Sequence, residues 1–207
     1  MGNEIAACYN CNVPKGESGS VSKFGMNGKR ETLALAHVRQ DNGGDWHEHL
    51  LDEHLRGVAA IAADFGTDFD SSDWASLAGL WHDLGKFREK FQRYIKSVSG
   101  YEKRYDTEAH IKDEETPGRV DHSTAGAIHA IEKMELQGRI LAYLIAGHHA
   151  GLPDWNNAES GHSSLFNRVE EGKVKGYLQE ALNDFPSAKI LEQPRPASLP
   201  PDGSLAL

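Results

Sequence analysis

SSDWASLAGLWHDLGKFREKFQRYI, residues 71–95, runs an apolar helical segment straight into an adjacent histidine and aspartate. Ser71, Ser72 and Asp73 supply N-cap chemistry for the helix that follows. From Trp74 to Leu84 nearly every position is apolar or small, so this helix belongs in the core rather than on the surface. His82 and Asp83 therefore sit where burial is costly unless a polar group is paired or coordinated. Gly85 bends or ends the helix, and FREKFQRYIKSV, residues 87–98, is a further amphipathic helical stretch.

Upstream, the hydrophobic pattern starts at LALAHV, residues 33–38, and DNGGDW, residues 41–46, reads as a turn ending in an anchoring tryptophan. HEHLLDEHLRGVAAIAADFG, residues 47–66, repeats Leu50, Leu51, Leu55, Val58, Ile61, Ala62 and Phe65 at helical steps. That predicts an amphipathic helix stopped near Gly66. Downstream, residues 99–119 are charged and turn-rich and read as a surface loop. DHSTAGAIHAIEKM, residues 121–134, begins a helix capped by Asp121 or Ser123, and GRILAYLIAGHHAG, residues 138–151, is an apolar helix ending at a histidine pair. GLPDWNNAESGHSS, residues 151–164, is a loop, and residues 164–185 form a polar amphipathic region interrupted at Gly172 or Gly176. No strand pair with a hairpin turn, internal repeat or βαβ rhythm is legible, so the predicted fold class is all-α. Three segments are expected: a flexible stretch 1–31, a helical domain 32–188, and a Pro-rich, linker-like tail 189–207.

Composition narrows the function. The 207 residues are the size of one ordinary domain. The first residues are polar and lack the apolar core of a signal peptide, and no apolar run approaches the ~20 residues that span a bilayer. A cytoplasmic protein with no membrane partner is expected. The net charge of −9 argues against a broad basic surface gripping nucleic acid nonspecifically. It leaves phosphodiester substrates open, because bound cations can supply local positive charge. Cys8 and Cys11 are the only two cysteines. They make a single C-x-x-C with no second pair to complete a zinc site, and read as part of a flexible segment.

The chemistry is carried by histidines. Of the 11 in the chain, His54, His82, His122, His148 and His149 lie within or at the ends of helical segments, together with Asp83. Any one of them alone has a plain structural reading, such as a helix-internal His–Asp pair or a cationic cap at a helix end. Several converging on one core make sense if a divalent ion is their common partner. Neighbouring helical residues point about 100° apart, so an adjacent pair can address two ions. Asp83, with two carboxylate oxygens, is the natural bridge. Two ions about 3.5–4 Å apart suit phosphodiester hydrolysis, lowering the pKa of water and stabilising the departing oxygen. Lys86, three residues past Asp83, is placed to neutralise a phosphate oxygen. His47 and His49 compete with His54 for its role. His37, His110, His129 and His162 read as structural or solvent-facing, with His129 also a candidate to hydrogen-bond a ligand.

HDLGKF, residues 82–87, resembles the signature of the HD superfamily of metal-dependent phosphohydrolases. The wider ordered set comprises AHV at 36–38, W-x-x-H-L-L-x-E-H-L-R-G-V-A at 46–59, LAGLWHDLGKFREKFQRYI at 77–95, DHSTAGA at 121–127 and AGHHAGLPDW at 146–155. That set is similar to the HD nuclease domain of the type I CRISPR-associated helicase–nuclease. The resemblance implies a helical bundle with a dinuclear-type metal site that degrades single-stranded DNA. It implies one ion on His54, His82 and Asp83, another on Asp83, His122, His148 and His149, and assistance from Lys86. One or two divalent ions are expected, of Mn, Ni, Co, Fe or Mg. The implied partners are a separate helicase domain or chain and a CRISPR surveillance complex. No Walker-type phosphate loop occurs in this chain. The family pattern usually carries a further Asp on a late helix. Asp184 occupies EALNDFP, a different context, so the chain is expected either to be truncated from a longer protein or to hold an incomplete first site. An HD phosphohydrolase of nucleotides or cyclic nucleotides, and a metal-binding module without turnover, are the alternative readings.

Overall fold

The computed structural model describes residues 33–101, 120–149, 151–156, 164–183 and 188–196. The expectations for residues 1–31, Cys8, Cys11, His110, His162 and Asp184 fall outside the described residues.

The molecule is mostly helical but not all-α. Strand β1 (Leu35–Gln40) and strand β2 (Trp46–Leu50) pair as an antiparallel hairpin. This corrects the reading of residues 47–50 as the start of a helix. The turn decides the matter. The Asp41 side chain accepts from the Gly43 and Asp45 backbone N–H groups, both at 2.9 Å, while Gly44 takes a φ of 90° that favours glycine. The open strand edge is then held by Gln92, whose side chain accepts from the Leu35 N–H and donates to the Leu35 carbonyl, each at 2.9 Å. The same amide donates to the Lys86 carbonyl at 2.7 Å, tying the hairpin to the turn after Asp83.

Helix α1 (Leu51–Gly66) leaves the hairpin without a break and packs against α2 (Ser72–Trp81). Ser71 holds the N-cap position of α2, but its hydroxyl donates to the Phe69 carbonyl and makes no cap bond. A short 3₁₀ turn, Leu84–Phe87, follows, then α3 (Glu89–Ser99). Helix α4 spans Thr124–Gly147 and is broken at Glu135, where φ is 55° and ψ is −125°. An unbroken helix of that length would separate its ends by about 36 Å. His122 and His148, just outside the two ends, have ring centroids 5.6 Å apart. The break therefore folds the helix back on itself as two antiparallel arms. Helices α5 (Leu165–Val174), α6 (Tyr177–Asn183) and α7 (Ala188–Leu191) complete the described chain, with Gly176 at φ 71° making the interruption between α5 and α6.

The core joins Leu51 and Leu55 of α1, Leu77 and Trp81 of α2, Ile128, Leu141 and Ile145 of α4, and Leu165 and Val169 of α5. Trp74, Trp81, Phe87 and Phe91 are buried in the interior, consistent with structural rather than base-stacking roles. Trp81 also donates its indole N–H to the Ile190 carbonyl at 2.8 Å, fastening α7. Gly126 lets α4 touch the end of α2, since a Cβ there would fall on the Trp81 carbonyl oxygen. Asp121, rather than Ser123, caps α4: its Oδ1 accepts from the Thr124 N–H at 2.9 Å. Arg168 of α5 binds Asp121, Thr124, Ser123 and the Ala146 carbonyl, clamping both ends of α4 to each other.

Candidate metal centre

Helices α1, α2 and α4 and the 3₁₀ turn meet at one place. His54 stands in the first turn of α1. His82 and Asp83 follow the last residue of α2. Lys86 lies on the 3₁₀ turn, His122 precedes α4, and His148 and His149 follow it. Helix ends leave backbone carbonyls without intrahelical partners, and these carbonyls orient the rings. His82 Nδ1 lies 2.8 Å from the Gly79 carbonyl and His148 Nδ1 lies 2.6 Å from the Ile145 carbonyl. His122 Nδ1 lies 3.2 Å from the Val120 carbonyl.

Asp83 is 2% exposed and sits among these rings. Its Oδ2 faces His54 Nε2 at 3.3 Å, His82 Nε2 at 3.1 Å and Lys86 Nζ at 2.9 Å. Its Oδ1 faces His122 Nε2 and His148 Nε2, both at 3.5 Å. His149 stands beside them, with its ring 4.0 Å from that of His148 and 5.0 Å from that of His122. The two carboxylate oxygens thus divide the histidines into two sets. The ligand atoms of His54, His82 and Asp83 lie within 4.8 Å of one another, as do those of Asp83, His122, His148 and His149.

Protonation gives this arrangement its meaning. A carbonyl only accepts, so His82, His122 and His148 carry their proton on Nδ1 when neutral and turn a lone pair on Nε2 towards Asp83. An ionised carboxylate also only accepts. Among the described residues, Asp83 Oδ1 and His122 Nε2 have no hydrogen-bond partner although both are buried. Burial draws the His122 pKa below its ordinary value, favouring the neutral ring, while Asp83 partly opposes it. Burial by itself would raise the Asp83 carboxyl; Nε2–H donation from His148, His54 and His82, when those rings are protonated, outweighs it and holds Asp83 well below the usual carboxylate range. Acceptors aimed at acceptors in a buried pocket repel unless a cation lies among them. The donor set of imidazole nitrogens and one shared carboxylate fits a divalent ion of the borderline transition series, and the carbonyl-held Nδ1 atoms are the supports such ligands normally use.

The competing histidines separate in space. His47 pairs with Asp41 Oδ2 at 3.0 Å on the exposed turn. His129 packs edge-on against Trp81 at 4.7 Å and is tied to the Leu191 backbone; burial, with Lys133 nearby, lowers its pKa to about 4. It supports the core rather than the rings around Asp83. His37 and His49 face each other across the hairpin and approach His54, with ring centroids 4.9 Å and 5.3 Å from it. Desolvation, with Lys86 adding repulsion, lowers the His37 pKa to about 4 even though its side chain opens onto the surface. The sequence gives His37 a structural or solvent-facing role. The two-residue alternation of His47 and His49 beside a D-N-G-G turn was the available signal for the strand that brings it there.

Among the described residues no helix is long and apolar enough to cross a membrane. A family model described as Cas3, HD domain, matches residues 41–206. No curated protein matches the chain.

Proposed function

The chain belongs to the Cas3 HD-domain family of CRISPR-associated metal-dependent nucleases, and from that membership we propose that it hydrolyses single-stranded DNA with two divalent ions held around Asp83. The reading rests on the division of the histidines by the two oxygens of Asp83. His54, His82 and Asp83 hold one ion; Asp83, His122, His148 and His149 hold the other. Divalent ions, when bound, lower the pKa of water and neutralise charge on the phosphodiester and the leaving oxygen.

The chain's own residues do the rest. Asp83 would bridge the two ligand sets from beneath, where burial fixes it and the contacts with His148, His54 and His82 keep it ionised. Lys86 is 5% exposed, donates to the Ala36 carbonyl at 3.3 Å, and adds positive charge beside Asp83 against a bound phosphate. His148 and His149 form the open side, the side from which a strand enters. A flexible single strand reaches buried ligands more readily than a duplex. The domain 32–188 carries the chemistry, in the cytoplasm, and a helicase domain or chain with a CRISPR surveillance complex delivers the strand.

The test incubates the full chain with Mn²⁺, Ni²⁺, Co²⁺, Fe²⁺ or Mg²⁺ and end-labelled single-stranded DNA, duplex DNA, or free and cyclic nucleotides. Single-stranded DNA is expected to shorten at least tenfold faster than duplex. Hydrolysis of nucleotides with DNA left intact would replace this reading with a nucleotide phosphohydrolase. Ion uptake without turnover on any substrate would replace it with a binding module.

A further inference from the structure

We propose that His37, His49 and His54 form an additional transition-metal site, carried by the hairpin beside the Asp83 centre. The argument begins with register. His37 and His49 are directly opposite across the antiparallel pair, so their side chains leave the same face of the ribbon. Helix α1 starts at Leu51, one residue after β2 ends, and its first turn brings His54 onto that face. The result is a triangle of imidazoles, with ring centroids 4.9, 5.3 and 5.9 Å apart and ligand nitrogens within 4.8 Å of one another. The sequence distances are 5 residues from His49 to His54 and 12 from His37 to His49, and only the hairpin turn brings all three together.

Three imidazoles at one point, with His37 exposed and the others half-buried, are the donor set of an open zinc-type site, in which water takes the fourth position. Nitrogen–metal bonds of about 2.0–2.1 Å require the triangle to tighten slightly, a movement that rotation of the exposed His37 ring can supply. The site contains no carboxylate. It therefore selects Zn²⁺, Ni²⁺, Co²⁺ or Cu²⁺ and excludes Mg²⁺, whereas the Asp83 centre also offers a hard oxygen. The nearest cation, Lys86, donates to the Ala36 carbonyl of the hairpin and repels positive charge at His37 and His49, while its pairing with Asp83 Oδ2 offsets part of that charge. His54 belongs to both groups, so an ion on the hairpin is one ligand exchange from Asp83. The site is a place where a transition ion is captured at the surface before it reaches the buried carboxylate. It rests on the three imidazoles and shares only His54 with the proposed catalytic pair.

The experiment uses the full chain, stripped of metal and carrying Asp83→Ala, so that the central carboxylate is absent. Equilibrium dialysis against Ni²⁺ or Zn²⁺ is compared with the same protein carrying His37→Gln and His49→Gln as well. The expected result is one ion equivalent fewer, or at least a tenfold weaker affinity, in the second protein, and no uptake of Mg²⁺ attributable to these residues in either. Far-UV circular dichroism checks the fold. If the double change or the Asp83→Ala background prevents folding, His37→Gln alone, at the exposed position, and Asp83→Asn as the background carry the comparison. Equal uptake with and without His37 and His49 overturns the proposal. Failure of the Asp83 reading shows differently, as equal ion uptake by wild type and Asp83→Ala, and leaves the hairpin difference intact.

Discussion

Asp83→Asn is expected to lower cleavage by roughly a thousandfold or more and to weaken both ion sets together. The reason lies in the placement of its oxygens. Removing any one histidine costs a ligand to one ion, whereas Asp83 faces His54 and His82 with one oxygen and His122 and His148 with the other. An amide of the same shape keeps one acceptor oxygen but loses the charge that makes the centre attractive to two dications. Asp83→Ala adds a structural penalty. Lys86 is 6% exposed at its side chain and pairs with Asp83 at 2.9 Å. Stripping the carboxylate leaves a buried ammonium without its counter-charge, which costs about 3–5 kcal/mol. Isothermal titration with Mn²⁺, a single-stranded DNA cleavage assay and a thermal melt measure the three consequences. The asparagine variant also removes the counter-charge of Lys86 but keeps an oxygen that accepts from its ammonium, so its melt is expected to fall less than that of the alanine variant. An asparagine variant that cuts within tenfold of wild type would mean the carboxylate is not the shared ligand.

The second large effect is predicted at a residue without a side chain, on the 3₁₀ turn between Asp83 and Lys86. Gly85 donates its backbone N–H to the His122 carbonyl at 2.9 Å. A Cβ on Gly85 would stand 2.7 Å from both the carbonyl carbon and the Cα of His122, and closer still to the carbonyl oxygen. Backbone faces backbone on both sides, so no flexible side chain can give way. Gly85→Ala must push the 3₁₀ turn and the start of α4 apart, at about 1–3 kcal/mol or more. His122 moves away from Asp83 as a consequence. Ligands tolerate only about 0.2 Å of misplacement, and about 1 Å can cost a hundredfold in rate. The variant is expected to lose the ion on the His122, His148 and His149 side, to keep the ion on His54 and His82, and to cut about a hundredfold more slowly. Metal stoichiometry and initial rates check this. Loss of both ions in equal measure would show that the two ligand sets are not positioned independently.

The six residues brought together around Asp83 were legible because each interrupts an apolar helix or ends one, where an imidazole or carboxylate has no reason to be without a partner. The helical segments after Asp121 were legible for the same reason. The hairpin was not. HEHL runs directly into LDEHL, so Leu50 and Leu51 satisfy a helical period and a strand period at once. The decision between them is made at a distance, by the Asp41 turn and by Gln92 reaching β1 from α3. The sequence also left His47, His49 and His54 in competition. Their separation depends on where the strand stops, which a local pattern does not reveal. The fold-back at Glu135 carries no glycine or proline at the break itself. It is the packing of the two arms, and the clamp from Arg168 across both ends, that sustains a glutamate at positive φ. Long-range contacts made each of these choices, and each affects which histidines meet.

The most direct test of the account is anomalous diffraction from crystals of the chain loaded with Mn²⁺. Two peaks about 3.5–4 Å apart are predicted, one bonded to Asp83, His54 and His82 and the other to Asp83, His122, His148 and His149. Density showing Asp83 still paired only with Lys86, with manganese bound elsewhere or not at all, would contradict it.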